Sequence, residues 1–113
     1  MDIDEYFETG PEFERPIFDI VRDHMRSLDP DIWFEPVSVG IFFKRRTSFL
    51  QLRTMTKWVA VCFNLDRKLA SDRLARKVVE HSGRHYHVVN VRGADEIDDQ
   101  LLDWLTEAWE FDA

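Results

Sequence analysis

Apolar residues recur every three to five positions at Ile17, Ile20, Val21, Met25 and Leu28. That spacing predicts an amphipathic helix with one buried stripe. Pro16 suits the first turn, where the missing N–H has no intrahelical partner anyway, and Asp29-Pro30 disfavours continuation. Glu12, Glu14 and Asp19 near the start and Arg22 and Arg26 towards the end complement the helix dipole. After Pro36 the period shortens to two. Val37, Val39, Ile41 and Phe43 alternate with Ser38, Gly40, Phe42 and Lys44, as in a half-buried strand. Arg45-Arg46-Thr47-Ser48 predicts a turn, and residues 49–55 a second strand. Residues 58–65 are almost continuously apolar and rich in β-branched and aromatic side chains, which suits a central strand.

Residues 69–80 admit two readings. Ser71 can cap a helix with Leu74, Ala75, Val78 and Val79 on one side. Alternatively, Ser82-Gly83 is a two-residue turn and residues 73–92 form a hairpin. The strand character of residues 85–91 favours the hairpin. A closing helix follows, with the stripe Ile97, Leu101, Leu105 and Ala108, Trp104 and Trp109 beside it, and Asp95, Glu96, Asp98 and Asp99 at its N-terminus. The expected architecture is a single α+β domain over residues 1–113: an antiparallel sheet of about four to five strands, with an N-terminal and a C-terminal helix packed on it. Residues 1–15 form an acidic segment whose Ile3, Tyr6 and Phe7 suit docking on that domain.

Charge divides the chain into three blocks. Residues 1–35 hold 3 Arg/Lys and 11 Asp/Glu, residues 36–93 hold 12 and 3, and residues 94–113 hold none and 8. The formal net charge of −7 therefore conceals a strongly basic middle, the place where an anionic partner would sit. No apolar run approaches bilayer length, and the acidic start lacks the features of a secretory signal. The expected location is the cytoplasm, with no membrane partner. Cys62 is the sole cysteine, so neither an internal disulfide nor a multi-cysteine metal knuckle can form.

Three pieces occur in a characteristic order: residues 35–45 (EPVSVGIFFKR), residues 55–60 (MTKWVA), and residues 87–92 (HVVNVR) followed by Ile97-Asp98-Asp99 and residues 102–108 (LDWLTEA). In these the chain resembles a family of short, mostly actinobacterial bacterial proteins designated only as a domain of unknown function. The resemblance spans about Phe18 to Trp109 and leaves most of the acidic first thirty residues outside. It implies a compact α+β fold, standing alone or attached to other modules. It brings no activity and no catalytic residues.

Candidate chemistry centres on the basic block. With Ser82-Gly83 as the turn, position 81 pairs with 84 and 79 with 86. One hairpin face then carries Leu74, Val78, Val89 and Val91 with Arg76, Glu80, His85 and His87. The other carries Arg73, Lys77, Arg84 and Arg92 around Tyr86, with His81, Val79 and Val88. Phe42 and Lys44 on the polar side of the first strand, with Arg45 beyond, extend this surface. Cations around exposed rings suit phosphate and base, so nucleic acid or a small anionic ligand is the expected partner. The competing reading pairs these cations with the acidic helices of the same molecule.

Other chemistry is less well supported. His85 and His87 share one face and His81 the other, so a three-histidine metal site fails on geometry, and a His85–Glu80 cross-strand pair is preferred. Ser38, Ser48, Thr54, Thr56 and Cys62 occupy no strained elbow, and none of the four glycines has phosphate-loop spacing. A non-catalytic module without metal or cofactor is therefore expected. The alternative is a protein-interaction domain that uses the acidic helices or the Trp109 and Phe111 tip to contact a partner chain.

Overall fold

The computed structural model describes all residues, 1–113. A short helix α1 (Ile3–Tyr6) precedes α2 (Glu14–Leu28). Six strands follow: β1 (Trp33–Val37), β2 (Gly40–Lys44), β3 (Ser48–Thr54), β4 (Val59–Leu65), β5 (Val79–His81) and β6 (Arg84–Val91). A 3-10 turn (Ala94–Glu96) leads to α3 (Asp99–Phe111), capped by the Asp98 side chain on the Leu101 N–H. The sheet is antiparallel throughout, in the order β1-β2-β3-β4-β6-β5.

Strand alternation turns Ile41, Phe43, Leu50, Leu52, Val61, Phe63, Val89 and Val91 to one side, where they bury against Ile17, Phe18, Val21 and Met25 of α2 and Leu101, Leu105 and Ala108 of α3. Phe18 meets Phe34 and Phe43 at ring-centroid separations of 5.4 and 6.2 Å, and Trp104 stacks on Phe63 at 6.1 Å. Helix α1 docks on the same side. The Tyr6 hydroxyl donates to the buried Glu14 carboxylate and lies 3.5 Å from Thr54 Oγ1. Burial, and then that carboxylate, push the Tyr6 phenol up to about 12. All the helices thus cover one face and leave the other face of the sheet open.

Several expectations require correction. The sheet has six strands rather than four or five. Pairing begins before Pro36, because β1 is an edge strand and its Pro36 has no ladder bond to supply on the outer side. Val39 belongs to the β1–β2 turn and is 49% exposed, so it does not share the buried face of Ile41 and Phe43.

Residues 69–80 form neither a helix nor a continuous strand. The Ser71 hydroxyl accepts from the Arg73 N–H at 3.2 Å, a local turn in place of a helix cap. Upstream, His87 Nε2 holds the Leu69 N–H at 3.0 Å. The Ser82-Gly83 turn is as expected: both residues have positive φ (53° and 80°), and Val79 pairs with Tyr86, Glu80 with His85 and His81 with Arg84. Further from the turn the register slips. Leu74 bridges Val89, so five steps on the edge segment face three on β6, a two-residue bulge.

Candidate functional site

On the open face the strand registers set up two cross-strand rows, Gln51–Cys62–Val88 and Arg53–Ala60–Asn90, with Asn64 beside Tyr86 forming a third. Over them lies a cleft of about 290 Å3 lined by Ser48, Phe49, Gln51, Arg53, Cys62, Asn64, Arg76, Tyr86, His87 and Val88. Arg53 reaches it because it alternates with the buried Leu52 and the half-buried Thr54 on β3. Arg76 reaches it because the bulge turns the edge segment over the sheet, where the Ala75 N–H donates to the Val88 carbonyl at 2.7 Å.

Neither guanidinium has an acid partner, and both side chains are exposed. The Asn64 side chain is buried and donates weakly to the Ser48 carbonyl at 3.4 Å, while Ser48 Oγ is buried without a partner. Burial pushes the Cys62 thiol up, and the positive charges of Arg53 and Arg76 offset only part of that. At neutral pH Cys62 is therefore a thiol in a positive cleft and a poor nucleophile.

The residues singled out from the sequence are dispersed. Tyr86 lies at the cleft, 39% exposed. Phe42 and Lys44 share the open face, at the β1–β2 end of the sheet. Lys44 bonds Glu35 at 3.0 Å and sits over the Trp33 ring at 4.7 Å. Arg45 lies over the Trp109 ring at 3.8 Å and donates to the Trp109 carbonyl at 2.9 Å, while Phe111 beyond remains 37% exposed.

Arg73 does not stand beside Tyr86. The chain bends before the bulge, and its guanidinium bonds Asp98 at 2.7 Å, Gln100 at 3.1 Å and the Glu96 carbonyl at 3.1 Å. Arg84 donates to Thr47 Oγ1 at 2.8 Å and lies 4.0 Å from Asp112. Arg92 sits over the Trp58 ring, 5.8 Å from its centroid. Lys77 is exposed in the bulge without an ion pair. Arg67 bonds Glu107 through both ends of its fork, at 2.8 and 2.9 Å. The acidic third block thus answers Arg67, Arg73 and Arg84; Arg53, Arg76, Lys77 and Arg92 are among the cations left without an acidic side chain.

Arg73 and Arg76 are the positions whose face assignments reverse: a regular hairpin puts Arg73 with Tyr86 and Arg76 with Leu74, whereas Arg73 bonds Asp98 on the helix side and Arg76 lines the cleft on the open face. Arg53, Gln51 and Asn64 are absent from the sequence-based set. A signal for the first two existed, since they alternate with Leu50 and Leu52 in the predicted second strand. The histidines do not converge. His85 pairs across from Glu80 in the expected register, His81 faces Arg84 beside the turn, and His87 is fully buried against Phe63 at a centroid separation of 5.3 Å. No helix is long and apolar enough to cross a membrane.

No curated protein and no solved structure matches this chain. A family model does, described as "Domain of unknown function (DUF5655)", and it matches residues 3–112. The match takes in the acidic N-terminal segment that the sequence resemblance left outside, which agrees with the docking of α1 and α2 onto the common core. The chain therefore belongs to the DUF5655 family, whose domain is the whole helix–sheet unit described above.

Proposed function

We propose that this domain is a non-catalytic binding module that takes a small anionic ligand in the cleft on its open sheet face. The observation that carries this reading is the pair Arg53 and Arg76, two exposed guanidinium groups at one cleft without a carboxylate to answer them. Arginine forks match phosphate and carboxylate oxygens two bonds at a time. Lys77, next to Arg76, adds to the local positive potential. A small ligand fits better than a long nucleic-acid strand, because Lys44, Arg73 and Arg84, which would extend the track, are each spent on Glu35, Asp98 and Asp112. Binding is favoured over chemistry because Cys62 is held as a thiol and Ser48 Oγ, the other nucleophile at the cleft, has no base hydrogen-bonded to it.

The test is thermal unfolding of the wild type and of Arg53→Glu/Arg76→Glu in phosphate, citrate or chloride at matched ionic strength. A ligand that binds only the folded state raises the midpoint as its concentration passes Kd. Phosphate and citrate stabilise any fold by exclusion from its surface, so the reading requires them to raise the wild-type midpoint above that in chloride by more than they raise the double variant's. An equal rise in both proteins would remove the reading.

A further inference from the structure

We infer that the cleft is built for a nucleoside monophosphate, with phosphate at its Arg53 end and the base at its Tyr86 end. This rests on the reading of the cleft as an anion site and names the ligand class. A bare anion requires only the two guanidinium groups, whereas the cleft also presents an aromatic ring with the Asn64 carboxamide beside it and a second carboxamide, Gln51, on the floor between the ends.

The sheet register separates the two ends. Arg53 lies in the row of Ala60 and Asn90, and Tyr86 lies beside Asn64, four residues along β4 and β6. With about 3.4 Å per residue, these rows stand roughly 14 Å apart along the strands. Between them the Gln51–Cys62–Val88 row forms a floor of mixed polarity. Arg76 comes in from the bulge near Cys62, close enough to act on its thiol. Charge therefore sits at one end and in the middle, and an exposed aromatic face at the other. That is the charge layout of a phosphorylated nucleoside.

The carboxamides sharpen the match. Gln51 makes no side-chain hydrogen bond, and Asn64 makes one at 3.4 Å through its NH2, so its carbonyl oxygen is left to accept. Carboxamides pair with the donor–acceptor edges of bases, and a tyrosine ring stacks on any of them. Ser48 Oγ, buried at the same end without a partner, is a further hydroxyl that a ligand would satisfy.

Isothermal titration calorimetry of the whole chain at low salt tests this, with AMP, GMP, CMP and UMP, the parent nucleosides, inorganic phosphate and a single-stranded oligonucleotide as titrants. At least one monophosphate should bind about tenfold or more tighter than both inorganic phosphate and its own nucleoside. Tyr86→Ala should weaken that monophosphate about tenfold and leave phosphate unchanged, whereas Tyr86→Phe, which keeps the ring, should retain binding. Arg53→Ala/Arg76→Ala should weaken both. All three positions are exposed, so the variants keep the fold, which far-UV circular dichroism verifies.

Phosphate as tight as every monophosphate would overturn this inference and leave the anion reading standing. No heat with any anion would overturn both. An oligonucleotide bound about a hundredfold tighter than every monophosphate would reassign the face to nucleic acid and overturn the inference as well.

Discussion

A Cβ placed on Gly40 would lie 2.1 Å from the Leu52 carbonyl oxygen, and φ there is +156°. The obstacle is backbone of the neighbouring strand, so nothing flexible can yield. Gly83 has a positive φ of 80° but open space around it. Gly40→Ala should therefore cost about 3 kcal/mol or more, and Gly83→Ala about 1 kcal/mol, read as urea midpoints. Equal losses would mean that β2 and β3 part more easily than this contact implies. His87 makes a different residue-scale argument. Its Nε2 accepts from the Leu69 N–H, so its Nδ1–H donates to the His85 carbonyl at 2.9 Å, and the ring is neutral. Burial holds its pKa below the usual histidine value, ahead of opposing hydrogen bonds. Its contribution to stability is thus fully present above about pH 6.5, the unfolded value, and is lost as pH falls through the folded value. Unfolding midpoints of the wild type should drop below that pH, and His87→Gln, which still offers an acceptor, should show a shallower drop. Parallel profiles would remove His87 as the cause.

Between elements, the end of α3 is fastened to the β2–β3 turn by one carboxylate. Asp112 accepts from the Arg46 and Thr47 N–H groups at 2.8 and 2.9 Å and from Thr47 Oγ1 at 2.6 Å, with Arg84 at 4.0 Å. Burial alone would raise its pKa. The Thr47 hydroxyl, the two backbone donors and Arg84 together hold it below the ordinary aspartate range. Asp112→Asn keeps the shape but loses charge and acceptor capacity, and should cost about 2 kcal/mol at neutral pH. Because the folded pKa is depressed, that stabilisation is present above about pH 4, the unfolded value, and disappears as pH falls through the folded one. The wild-type and Asp112→Asn midpoints should therefore converge in acid; a gap that persists at pH 2 would show that the contact does not depend on ionisation. The same element scale explains how the candidate cleft was partly hidden. A turn with two positive φ residues is legible in Ser82-Gly83, but the bulge between Leu74 and Val79 has no glycine or proline to announce it. That bulge decides which face Arg76 occupies.

For the molecule as a whole, one layer of helices on one face of one sheet makes a single core. Phe18, Phe43, Phe63 and Trp104 connect α2, the sheet and α3, and Tyr6 ties α1 to Glu14 beneath them. Tryptophan fluorescence and far-UV circular dichroism should report the same urea transition, as expected for one cooperative unit of this size. Separate midpoints would mean that the N-terminal helices melt apart from the sheet. The charge blocks also resolve at this scale. Residues distant in sequence meet at Arg67–Glu107, Arg73–Asp98 and Arg84–Asp112, so three of the twelve cations of the basic middle are paired with the acidic end.

By itself the sequence determined the α2 stripe, the strand periods of Phe43, Leu50, Leu52 and Phe63, the Ser82-Gly83 turn and the closing helix, because each follows from a local period or a local backbone preference. It also placed Tyr86 on the polar side of its strand. Tertiary structure alone decided which cations remain unanswered and that Arg53 and Arg76 line one cleft. The reason is physical: ion pairing depends on which segments are neighbours in space, and a two-residue bulge is set by packing against β6 and the core rather than by any signal within residues 74–79.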